Sequence, residues 1–125
     1  MNELSMRTAL LTHAPLAALI GTRLSPRTMP QGTALPYITF FLISDPQTAL
    51  GVGQSTYQFN VVSNDYTQCL SLAGVLQTAM DKVDAAKVSF AWHVVGGGTS
   101  FDDEMKLHIK RLDIRFDFES KPTFS

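Results

Sequence analysis

Three histidines, one cysteine and a short acidic run are the residues of this sequence whose types could carry chemistry. Nucleophilic catalysis needs a Ser, Thr or Cys beside a base that a third group orients. The periodicities described below place His13 on a helix and His93 and His108 on two strands, and no serine stands in a Gly-x-Ser-x-Gly elbow. Cys69 falls within an apolar helical stripe, where a buried, inert thiol is expected. A single cysteine also excludes an internal disulfide framework and a thiolate zinc site, which suits folding inside a cell. Asp102-Asp103-Glu104 with His108 offers donors for a hard cation, but the spacing fits no calcium loop and reads as a solvated turn. Gly96-Gly97-Gly98 lacks the Gly-Lys-Ser/Thr ending of a phosphate loop and precedes a strand, so it reads as a plain, flexible loop. No catalytic, metal or cofactor site is therefore assigned, and the chain reads as a non-enzyme without cofactors.

The charge pattern says more. Eleven of the twenty-one charged side chains lie in residues 101–125. On the last strand Arg111, Asp113, Arg115, Asp117 and Glu119 share the face opposite Leu112–Phe118, so neighbouring copies could meet through complementary charges. The same row would also suit a solvent-facing strand protected against edge aggregation. These five residues are the candidate oligomer interface. The acidic members would repel phosphate, which argues against specific nucleic-acid binding.

The elements that must position them follow from periodicity. Residues 1–21 read as a kinked helix or two short ones, with Pro15 at a first helical turn and Gly21 as a stop. Residues 22–36 hold Pro26, Pro30, Pro36 and Gly32 and read as an irregular loop. Tyr37–Ser44 is β-branched and aromatic, and Tyr57-Gln-Phe-Asn-Val61 alternates, giving a β-hairpin over 37–63. Tyr66, Cys69, Ala73, Leu76, Met80 and Val83 recur at helical spacing, predicting a helix over 65–83 that Ser63 or Asn64 would cap. Leu70, Leu72, Val75 and Ala79 widen its stripe enough to touch a second surface. A second hairpin over 87–119 follows, with Val88, Phe90, Trp92 and Val94 on one face, and 120–125 form a tail. In that hairpin Met105, Leu107 and Ile109 are odd-numbered and Leu112 to Phe118 even, a phase slip that predicts a bulge near Lys110-Arg111 or a bend. The order α-β-β-α-β-β predicts an α+β fold, a mainly antiparallel four- to five-stranded sheet with two helices on one face.

At 125 residues the chain has room for one domain. An apolar share of 45 % against 17 % charged supports a buried core and excludes disorder. A formal charge of −1 gives no global pull toward nucleic acid or an anionic membrane. Ala9–Ile20 is the only stretch resembling a targeting segment, and Glu3, Thr12, His13 and Pro15 argue against a signal peptide. No run reaches the roughly 18–20 apolar residues of a membrane span.

One block of sequence is distinctive. His13-Ala-Pro-Leu-Ala-Ala-Leu-Ile-Gly-Thr-Arg23, the Pro30-Gln-Gly32 loop and Leu35-Pro-Tyr37 leading into a strand resemble the opening of the small tail completion proteins of long-tailed bacteriophages. Tyr57-Gln-Phe-Asn-Val-Val62 before a long helix and the closing Leu112-Asp-Ile-Arg-Phe-Asp-Phe118 strand are similar to the rest of that pattern, over nearly the whole chain. The resemblance implies a structural virion protein, a tail terminator that forms a homo-oligomeric ring, commonly six-fold, at the head-proximal end of the tail. Its implied partners are the major tail tube protein and the head or neck connectors, with assembly in the host cytoplasm and no membrane. A rival reading from another class is a small dimeric ligand-binding module with Trp92, Phe90 and Tyr57 lining an apolar cleft.

Overall fold

Pro15 cannot supply the N–H that a helix interior requires, so the N-terminal apolar stretch divides around Thr12-His13. In the computed structural model, which describes residues 3–26, 28–29, 32–44, 52–85 and 91–119, α1 runs Glu3–Leu11 and α2 runs Ala14–Ile20. Pro15 sits in the first turn of α2, and Gly21, at φ 59°, ends it with its N–H on the Ala17 carbonyl at 2.7 Å. His13 is not helical: it takes the extended N-cap position of α2 and makes no side-chain capping bond.

The expected loop over 22–36 contains a strand, a correction to the sequence reading. β1 (Leu24–Pro26) pairs in parallel with β2 (Tyr37–Ser44), Leu24 opposite Ile38. Proline-rich composition hides so short an element, but Leu24 is fully buried in the core, and the segment is held on β2 by the Arg23 carbonyl, which accepts the Ile38 N–H at 3.0 Å. The outer side of β1 is closed. The Leu24 N–H bonds the Thr22 carbonyl at 2.8 Å, while Arg7 from α1 donates Nε to the Leu24 carbonyl at 2.7 Å and a second nitrogen to Thr22 O at 3.0 Å.

β3 (Val52–Ser63) pairs antiparallel with β2, and β5 (Leu107–Glu119) lies between β3 and β4 (Ala91–Asp102), giving the sheet order β1-β2-β3-β5-β4. The protein is thus α+β, with a five-stranded mixed sheet. Two expectations for the second hairpin are overturned. Gly96, Gly97 and Gly98 are no loop: they lie within β4, opposite Asp113, Leu112 and Arg111. The reversal comes at residues 103–106, where the Asp102 carboxylate accepts the N–H groups of Glu104 and Met105, each at 3.0 Å. Nor does β5 bulge near Lys110-Arg111, since its register with β3 is unbroken from Val52↔Glu119 to Ser63↔His108. The irregularity lies on the partner strand, between Val94 and Gly96. Leu107 and Ile109 stay in phase by facing the side of the sheet away from the helices.

Among the described residues that side carries no helix, although Thr39 and Val62 on it are buried. Ile38, Phe40, Tyr57, Phe59, Val61, Leu112, Ile114 and Phe116 point to one face and form a single core with Met6, Leu10, Leu16, Ile20, Leu72, Leu76 and Met80 of the helices. Phe40 stacks on Phe59 at 5.5 Å between centroids, and Phe116 meets Tyr57 edge-on at 5.9 Å. Three helices therefore cover one face, the N-terminal stretch forming two short ones. Among the described residues none is long and apolar enough to cross a membrane.

α3 (Tyr66–Ala85) is capped by Asp65, not by Ser63 or Asn64: its carboxylate accepts the Thr67 N–H at 2.9 Å, and Ser63 Oγ instead accepts the Asp65 N–H. Leu72 and Ala79 are buried beside the Cys69–Met80 stripe, and α1 and α2 supply the second surface. Tyr66 and Leu70 remain exposed. Cys69 is buried against β3 and β5, its Sγ 3.3 Å from the Val61 carbonyl and 3.7 Å from that of His108. Burial pushes its thiol above the usual value of 9.0, against smaller opposing contributions from the Lys110 backbone and charge. The unfolded chain therefore gives up this proton first, so stability is fully present below pH 9 and declines above it until the folded thiol also ionises. Urea midpoints measured from pH 7 to 10.5 should fall above pH 9, and Cys69→Ala should flatten that part of the profile.

Candidate assembly interface

On the helix-free face the odd-numbered residues of β5 form one row. Arg111 Nε lies 3.5 Å from Asp113 Oδ1, Arg115 Nε lies 3.2 Å from Asp117 Oδ1, and His93 of β4 reaches Asp117 Oδ2 at 3.1 Å. The candidate residues Arg111, Asp113, Arg115 and Asp117 are therefore brought together. Glu119 ends the strand opposite Val52, and its side chain lies outside the described residues. Opposite charges close first on each other, along one strand, so a neighbour would meet a neutral ladder rather than bare charges.

The ladder is incompletely bonded. Its carboxylates are largely shielded, with 18 % and 15 % exposure for Asp113 and Asp117. Yet Asp113 Oδ1, Arg115 Nε and Asp117 Oδ1 have contact with neither water nor an aligned hydrogen-bond partner. Distance alone makes these ion pairs, and the angles leave their hydrogen-bonding capacity unused. Groups desolvated without hydrogen bonds lose free energy that a bonding partner would restore. The sequence showed which residues share the face, but not this in-strand pairing, which depends on rotamers.

Above the ladder, where β4 has no side chains, a groove of about 270 Å³ opens between Asn60, Gly98, Ser100, Ile109 and Arg111. The three glycines differ in what a side chain would meet. A Cβ on Gly96 would meet Asp113 Oδ2 at 2.8 Å, and one on Gly97 would meet the Arg111 carbonyl at 2.7 Å, but one on Gly98 would meet nothing within 4 Å.

The other candidate chemistry is dispersed. His108 projects toward the helix side and packs between Tyr66 and Phe101, at 5.4 and 4.7 Å between centroids. Among the described residues no group of three His, Cys, Asp or Glu side chains converges on one point. Tyr57 is fully buried in the core and cannot line an open cleft. Trp92 packs against the core and donates its indole N–H to Asp81 at 3.1 Å, and Phe90 lies outside the described residues.

Comparison with known proteins agrees with this architecture. A chain from the virion of a native gene transfer agent (GTA) particle superposes with a TM-score of 0.65, over 92 % of this chain and 95 % of that one. At 15 % identity that likeness is one of fold. No curated protein matches the sequence. The family model of tail completion protein gp17 matches from residue 5 to residue 118. With that match spanning most of its length, the chain belongs to the tail completion protein gp17 family and is a structural protein of the virion tail.

Proposed function

We propose that this protein is a ring subunit that closes the head-proximal end of the phage tail tube and joins it to the neck of the capsid. The observation that carries the reading is the Arg111–Asp117 ladder, a helix-free sheet surface whose shielded charges retain unused hydrogen-bonding groups. Family membership supports the setting of a virion tail protein; copies of itself, the tube below and the connectors above are the contacts this reading proposes. Arg111, Asp113, Arg115, Asp117 and Glu119 are proposed as contacts between copies. A formal charge of −1 suits a ring through which DNA must pass without being gripped.

The test is assembly by the double variant Arg111→Glu/Arg115→Glu, followed by native mass and by decoration of purified tail tubes. Wild type should form a closed ring, alone or on tubes, and the variant a folded monomer, because five adjacent acidic positions would crowd the boundary. Normal rings from the variant would reduce the ladder to solvated surface.

A further inference from the structure

Resting on that ring reading, we propose that the groove beside Gly98 is a socket for an acidic side chain from the β4–β5 turn of a second copy, Glu104 foremost. The donors in the groove are all of one sense. Arg111 is half exposed there, and its ion pair with Asp113 is too long and misaligned to use its donors. Asn60 accepts from Gln58 through its side-chain oxygen at 3.3 Å, which leaves its amide nitrogen to donate, and Ser100 adds a hydroxyl. No carboxylate lines the groove, and Ile109 provides an apolar wall for the methylene stem of a glutamate.

The turn offers the complementary shape and charge. Asp102 spends its carboxylate on holding the turn, and Asp103 pairs with Lys106 at 3.3 Å, both of that pair largely in solvent. Glu104 is exposed and makes no side-chain bond among the described residues. Turn and groove lie on one hairpin, about five strand residues or roughly 15 Å apart, so a copy cannot fill its own socket. The contact must run from the turn of one subunit to the groove of the next, the head-to-tail arrangement that closes a ring. It also explains Gly98, whose missing side chain nothing in its own chain requires: a Cβ there would stand in the socket.

Three variants test this by native mass over a wide concentration range, with and without tail tubes, after far-UV circular dichroism and melting establish the fold. Gly98→Leu fills the socket, Asp103→Lys/Glu104→Lys reverses the knob, and adding Arg111→Glu to the latter reverses the socket to match. The first two should raise the concentration needed for assembly at least tenfold, and the triple variant should recover most of it. Should Gly98→Leu fail to fold, the two charge variants decide alone, since their sites are exposed. Wild-type assembly by Gly98→Leu or by the knob variant overturns the socket while leaving the ring standing. Rings of Gly98→Leu that no longer bind tubes would assign the groove to the tube protein instead, and overturn the second copy as occupant. A wild-type chain that stays monomeric even on tubes removes the ring reading and the socket together.

Discussion

Phe59→Ala should lower the unfolding free energy by about 3–5 kcal/mol, the usual range for truncating a buried aromatic side chain. Phe59 is fully buried at the centre of β3, stacked on Phe40 at 5.5 Å and 6.3 Å from Tyr57, so no neighbour can collapse into the void without breaking another ring contact. Domains of this size are stable by roughly 5–15 kcal/mol, so the variant would lose at least about a fifth of the total and melt roughly 10–20 °C lower. Denaturant titration gives the comparison, with Phe101→Ala as control. Phe101 is 48 % exposed and should shift stability by no more than about 0.5 kcal/mol. A small loss at Phe59 would mean that the aromatic cluster is not the keystone of the sheet.

Gly97→Ala should cost about 1–3 kcal/mol, the penalty of overpacking, while Gly98→Ala one position along should be neutral or mildly stabilising. The added carbon at residue 97 would sit 2.7 Å from the Arg111 carbonyl, and a backbone atom cannot swing aside as a side chain does. β4 would have to lift from β5 beside the bulge, with loss of ladder bonds around Gly96–Gly98. Hydrogen exchange at the Arg111 and Leu112 amides would report the opening locally, and paired thermal melts would report it globally. Equal effects at 97 and 98 would contradict the close approach of the two strands.

Most of the fold is legible because its periodicities are strong. Helical recurrence from Cys69 to Met80 and the alternation in Tyr57–Val61 record burial on one face, and burial on one face is what those elements do. β1 escaped notice because three residues carry no period, and because proline and threonine counts dominated the window around it. The glycine run was misread for a related reason. Gly-rich composition ordinarily signals a break, yet here β5 supplies the pairing that glycine's own conformational preference does not. The phase slip in residues 105–118 marks no bulge in β5; it marks where the core face ends and apolar residues turn outward. At the candidate interface the shared face could be read by counting, whereas the misaligned ion pairs and the groove depend on side-chain geometry that spacing cannot encode.

The two borders of the sheet are unlike each other, and the difference limits how many strands can be added. At β1 the outward N–H and C=O of Leu24 are both taken, by Thr22 and by the Arg7 guanidinium, and Pro26 has no N–H to offer. β4 presents a twelve-residue border that pairs with β5 alone among the described residues. In the language of polymer growth the domain is monofunctional, with one reactive end and one blocked end. A monofunctional unit can join an existing strand, or pair once with its own kind, but it cannot propagate a fibre. Arg7 thus protects the chain against edge-to-edge growth, and Arg7→Ala would be expected to turn a chain stopper into a monomer able to polymerise.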